Sequence, residues 1–156
     1  MRTPDPRSVR RLSGAAAAVL TLALAPAATA SSGPVQLSFM KDCPVLTCTG
    51  SLLSPSGTPI PGSHVSSEIA PVWFSDAEDI VHYSSVEAIS APQGSFTMRL
   101  LGIADYTADP TVTHVIGTVQ EGSWRGRDLT DASITIVARR AFATTFRGVI
   151  RLRPAR

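Results

Sequence analysis

Apolar and polar residues alternate most regularly over residues 111–152. Side chains along a strand point to opposite faces in turn, so such alternation predicts half-buried β-strands. The pattern divides into strands over 112–120, 132–139 and 142–152, with a loop over 121–131. In the last strand Phe142, Thr144, Phe146, Gly148, Ile150 and Leu152 share the face expected to turn inward, and Arg147, Val149, Arg151 and Arg153 share the other. In the strand before it, Ile134, Ile136 and Ala138 are expected inward and Arg139 outward. A three-residue turn, 139–141, joins the two strands without flipping either set, and pairs Ala138 with Phe142 and Ile134 with Phe146.

Earlier in the chain the pattern is shorter and more broken. Segments 36–40 and 47–53 alternate, and the Pro/Gly-rich stretch 54–63 admits no regular element because proline presets φ and glycine supplies turns. A strand resumes near His64, and 66–74 contains Pro71, which suits an edge strand. Ser75 and Glu78 have the spacing of a helix capping box. The residues that follow, Ile80-Val81-His82-Tyr83, are strand formers, so the expectation is a turn over 75–79 and a strand over 80–88. After Pro92-Gln93-Gly94 a strand over 95–101 puts Phe96, Met98 and Leu100 on one face. About eight short strands and no helix predict an all-β fold, a single antiparallel β-barrel or β-sandwich.

Residues 1–30 have the parts of a secretory signal: Arg7, Arg10 and Arg11, an apolar run over 14–25, and Ala28-Thr29-Ala30 as a cleavage site. The apolar run is shorter than the ~20 residues of a spanning helix and Pro26 interrupts it. The expectation is an exported protein cleaved after Ala30, with residues 31–156 forming one all-β domain that carries no transmembrane segment. In an oxidising compartment Cys43 and Cys48, the only cysteines, should form a disulfide.

Two local resemblances add to this. Gly50-Ser51-Leu52-Leu53, followed by Gly57-Thr58-Pro59-Ile60-Pro61-Gly62-Ser63 and Val65, resembles the opening hairpin of carboxypeptidase-regulatory-like β-sandwich modules. Gly117-Thr118-Val119, Gly122, Trp124, Gly126, Leu129-Thr130-Asp131-Ala132 and Phe146-Arg147-Gly148-Val149-Ile150 are similar to the glycine-rich meanders of small secreted bacterial proteins with allene-oxide-cyclase-like barrels. The second resemblance implies an architecture, and no catalytic residue is carried over with it.

The net charge of +2 conceals a segregation along the chain. Residues 31–121 hold Lys41 and Arg99 against nine acids, whereas 122–156 hold eight arginines against Asp128 and Asp131. The basic segment suggests an anionic partner: a phospholipid surface, an acidic glycan or, ranked last, nucleic acid. The plainer alternatives are that the two halves neutralise each other, or that the arginines protect an exposed strand. Candidate binding residues are Trp124, Arg125 and Arg127, where an aromatic ring between Gly122 and Gly126 has two arginines beside it, and the outward row Arg139, Arg147, Arg151 and Arg153; the favoured alternative for Trp124 is to fold back and close one end of the core, with Leu129 as its plug.

Catalytic signals are weak. His64, His82 and His114 lack ligand-like spacing, so no metal is expected, and no cofactor motif occurs. No G-x-S-x-G elbow is present, and the carboxylates Asp76, Glu78 and Asp79 sit among serine and alanine, as in a solvated turn. The sequence therefore points to a secreted non-enzymatic binding module that uses its basic C-terminal face. The alternatives are an exported enzyme with a small barrel cavity, able to take a small ligand, and a structural module of the cell envelope.

Overall fold

A computed structural model describes residues 33–77 and 79–155; the signal reading of residues 1–30 lies outside them. Among the described residues nine strands follow one another: β1 (Val35–Asp42), β2 (Thr47–Leu53), β3 (His64–Phe74), β4 (Ile80–Ala91), β5 (Gly94–Asp105), β6 (Val112–Trp124), β7 (Arg127–Asp128), β8 (Ser133–Phe142) and β9 (Thr145–Arg153). Every pairing is antiparallel. Sequential neighbours pair except β7 and β8; β8 pairs instead with β6, and β9 with β1, so eight strands close into an up-and-down barrel. The sandwich alternative is not adopted. The short β7 lies outside the ring, added to the end of β6 by a two-residue turn in which Arg125 and Gly126 both have positive φ, the backbone form that matches strand twist.

The two ends of the barrel differ. Around the closed end, Phe96, Trp124, Leu129, Ala132, Ile134 and Leu152 are buried, and Trp124 meets Phe96 edge-on at 6.0 Å between ring centroids. The middle is filled by Leu52, Val65, Ile89, Met98, Leu100, Val119 and Ile150. Toward the other end, which carries the loops 43–46, 75–79 and 106–111, the buried inward positions become polar: Lys41, Ser67, Ser85, Glu87, Thr111 and Thr113. An eight-stranded barrel is just wide enough to be filled by side chains or to hold one small ligand; this chain does the first at one end and keeps room at the other.

The β8–β9 hairpin corrects one expectation. Ile134 pairs with Leu152 and Ala138 with Gly148, so the strands run on past the anticipated turn and reverse at Ala143 and Thr144. A bulge between Arg140 and Phe142 shifts the alternation by one residue. Phe142 therefore points outward and is 78% exposed, and Thr144 is exposed as well, whereas Phe146, Ile150 and Leu152 face in as anticipated. Pro71 sits where β3 runs beyond its last β2 pair at Glu68, so the proline needs no partner on that side. No helix forms at Ser75, whose side chain instead accepts a hydrogen bond from the Ile80 N–H. Cys43 and Cys48 are joined by a disulfide that closes the β1–β2 connection.

Candidate functional site at the barrel mouth

The polar end encloses a cavity of ≈ 240 Å³. Its apolar wall includes Val45, Leu46, Ile69, Phe74, Val81, Val115 and Phe146, and its polar groups are Lys41, Tyr83, Glu87, Tyr106 and Thr113. Mostly apolar walls with a few fixed polar atoms are what small-molecule sites share, and the volume falls below their usual ~300–1,000 Å³. The cavity suits one ring or a short chain.

Lys41 and Glu87 define its floor. The inward set of β1 is Val35, Leu37, Phe39 and Lys41, and that of β4 is Val81, Tyr83, Ser85, Glu87 and Ile89, so alternation alone carries one charge of each sign into the barrel. Lys41 is 9% exposed and Glu87 3%. The Lys41 Nζ forms an ion pair with Glu87 Oε1, donates to Ser67 Oγ at 2.8 Å, and lies 5.4 Å from the centre of the Phe39 ring. Ser67 and Glu87 are cross-strand partners on β3 and β4, whereas Lys41 is on β1, so the lysine must reach across β2. It can do so because its β2 partner is Gly50: a Cβ there would fall 2.5 Å from the Lys41 Cα and 2.0 Å from the Met40 carbonyl oxygen.

One carboxylate oxygen remains over. Glu87 Oε2 is buried with no hydrogen-bond partner, and so are Ser85 Oγ, one step nearer the mouth on the same strand face, and Thr111 Oγ1. Buried polar atoms are nearly always satisfied, and an unpaired one costs ~1–3 kcal/mol, more if charged. Above Glu87, Tyr83 lies flat over its cross-strand partner Gly102, where a Cβ would come within 2.3 Å of the ring. Burial, with a smaller push from the Glu87 carboxylate, holds the Tyr83 phenol well above its ordinary range, so it stays protonated and able to donate.

The residues picked out from the sequence lie elsewhere. Trp124 is 5% exposed and belongs to the closed-end core, so its ring is not offered to a surface ligand. Arg125 is in the exposed turn beside it, and Arg127 donates to the Gly33 carbonyl at 3.1 Å. Arg139, Arg147, Arg151 and Arg153 are together on the outer wall of β8 and β9, all exposed. His64, His82 and His114 are on three different strands, with His82 edge-on to Trp73 at 5.0 Å. Among the described residues no three His, Cys, Asp or Glu side chains converge as a metal would require. No family model, curated protein or solved structure matches the chain.

Proposed function

We propose that this is an exported binding protein whose barrel mouth takes a small, largely apolar molecule head first, with a hydrogen-bond donor on the head reaching Glu87 Oε2. The observation that carries this reading is that Glu87, which lines a cavity with apolar walls, keeps one buried carboxylate oxygen without a partner. A hydroxyl or ammonium head would satisfy that oxygen, while a carboxylate head would repel it. The apolar body would lie along Ile69, Phe74, Val81 and Phe146.

Calorimetry with short amphiphiles that share one hydrocarbon body tests the proposal. Amines and alcohols should bind, and the matching carboxylate should bind at least ~10-fold more weakly, since 1.4 kcal/mol is a factor of ten. Equal binding of all heads, or none, refutes it. An exported enzyme is the second reading, favoured by the same three side chains: Glu87, Lys41 and Tyr83 are general acid–base types gathered in one cavity. Chemical change in a ligand that occupies the cavity would distinguish it.

A further inference from the structure

The outer wall of the barrel carries a second site. The β2–β3 connection folds back over the sheet, so Ser54, Pro55 and Gly57 form one side of an open groove of ≈ 880 Å³ with the outer faces of β8 and β9 as the other. Among the described residues four arginines line it, Arg139, Arg140, Arg147 and Arg151, and no acid does. Val137, 41% exposed, and Val149 lie between them.

Neither plain explanation of these arginines fits. Strand charges protect exposed sheet edges, but β8 and β9 are interior strands of a closed ring with a partner on each side. Neutralisation by the acidic front half would show as ion pairs at the groove, yet among the described residues none of these four arginines makes one. Arg139 and Arg147 are moreover direct cross-strand partners on the outer face, and like charges in that position destabilise a sheet. The Arg147 Nη2 donates to the Gly57 carbonyl at 3.0 Å, which ties the guanidinium to the loop and uses one of its five N–H donors.

We infer that this groove binds an acidic glycan, a carbohydrate chain bearing carboxylate or sulfate groups. Arg147 and Arg151 are four residues apart along β9, about 13 Å at ~3.3 Å per residue. Arginines spaced along a strand in this way suit a chain with repeated anionic groups better than one small anion. Among the described residues no aromatic side chain lines the groove for a base to stack on, which argues against single-stranded nucleic acid. Its recess behind the 54–57 segment suits a chain better than the plane of a membrane. Val137 and Val149 offer apolar floor to the carbon faces of a sugar ring, and guanidinium forks match carboxylate and sulfate oxygens.

The test uses the full domain with heparin oligosaccharide as the sulfated probe and polygalacturonate oligosaccharide as the carboxylated one, titrated at rising salt. Binding to at least one should weaken steeply with salt. Arg139→Ser and Arg151→Ser should each lose roughly 10-fold in affinity, from ~1.5 kcal/mol per charge-assisted hydrogen bond. Both side chains are exposed, so circular dichroism should stay as in the parent and melting should not fall; Arg139→Ser, which relieves the repulsion from Arg147, should melt at or slightly above the parent. Arg99→Ser removes an exposed arginine on β5, away from the groove, and should change nothing. An equal loss in Arg99→Ser would mean retention by overall charge and would overturn the inference. So would the absence of binding to either glycan, or arginine-dependent binding confined to duplex DNA, anionic vesicles or inorganic phosphate.

Discussion

Replacing Lys41 by methionine keeps the length of the side chain and removes its charge, which leaves Glu87 in the barrel without its counter-ion. On a surface such a change costs ~0–1 kcal/mol, because water replaces the lost partner. Here the two side chains are 10% and 4% exposed, and breaking a buried pair from one side costs about 3–5 kcal/mol, since the surviving charge stays desolvated. For a domain of this size the melting midpoint should fall by roughly 10–20 °C. The reasoning is sharpened by the double variant Lys41→Met/Glu87→Leu. Because two buried charges are themselves costly to desolvate, removing both should recover most of the loss and can exceed the parent by ~1–4 kcal/mol. Calorimetric melts of the parent, both single variants and the double variant give the coupling energy directly. A Lys41→Met protein within ~1 kcal/mol of the parent, by the surface-pair standard, would refute the account, as would a double variant no more stable than the single one. If the double variant is stable yet no longer takes up the amphiphile, the pair is kept for binding at some expense of stability.

Three further outcomes follow from the same geometry. Gly50→Ala should destabilise by at least ~1–3 kcal/mol, as overpacking does, since its Cβ meets Lys41 and Met40 backbone atoms that cannot rotate away; chemical denaturation measures it. The fold raises the Tyr83 pKa above that of the unfolded chain, so its contribution to stability is full below about pH 10 and is lost as pH rises beyond it. Tyr83→Phe should flatten that alkaline decline, and the phenolate absorbance of Tyr106→Phe should show Tyr83 ionising only as the protein unfolds. Paired Cys43→Ser/Cys48→Ser replacement should cost ~2 kcal/mol by loop-closure entropy for so short a loop, and the unreduced parent should take up no thiol reagent.

The strands were legible because their cause is local. Alternation placed Ile134, Ile136, Ile150 and Leu152 on the inner face, and the turn residues at 54–63 and 92–94 punctuated the chain where it bends. Closure was legible only as one of two alternatives, barrel or sandwich, since it depends on β1 meeting β9, a pairing set by how far strands slide past one another. The bulge between Arg140 and Phe142 changed the phase of one hairpin without a Gly or Pro to mark it. The cavity pair escaped for another reason. Lys41 and Glu87 are 46 residues apart, and each looks like an ordinary surface charge when read alone. The available signal was the phase: extending Leu37, Phe39 by one step puts a lysine on the core face, and extending Ile89 back by one step puts a glutamate there. Two core-facing charges of opposite sign are worth pairing before any motif is sought.

The seam between β1 and β9 has a practical consequence. Val35 pairs with Leu152, so the first and last strands of the ring are neighbours and a few linking residues could join them. The ring could then be cut at another connection without breaking a strand, as circular permutation requires. A permutant opened at 92–93, at the closed end, would keep both the mouth cavity and the arginine groove. One opened within 54–63 would keep the cavity but free the segment that walls the groove, so a comparison of the two rearranged chains would assign each ligand to its own site while every residue of the barrel stays in place.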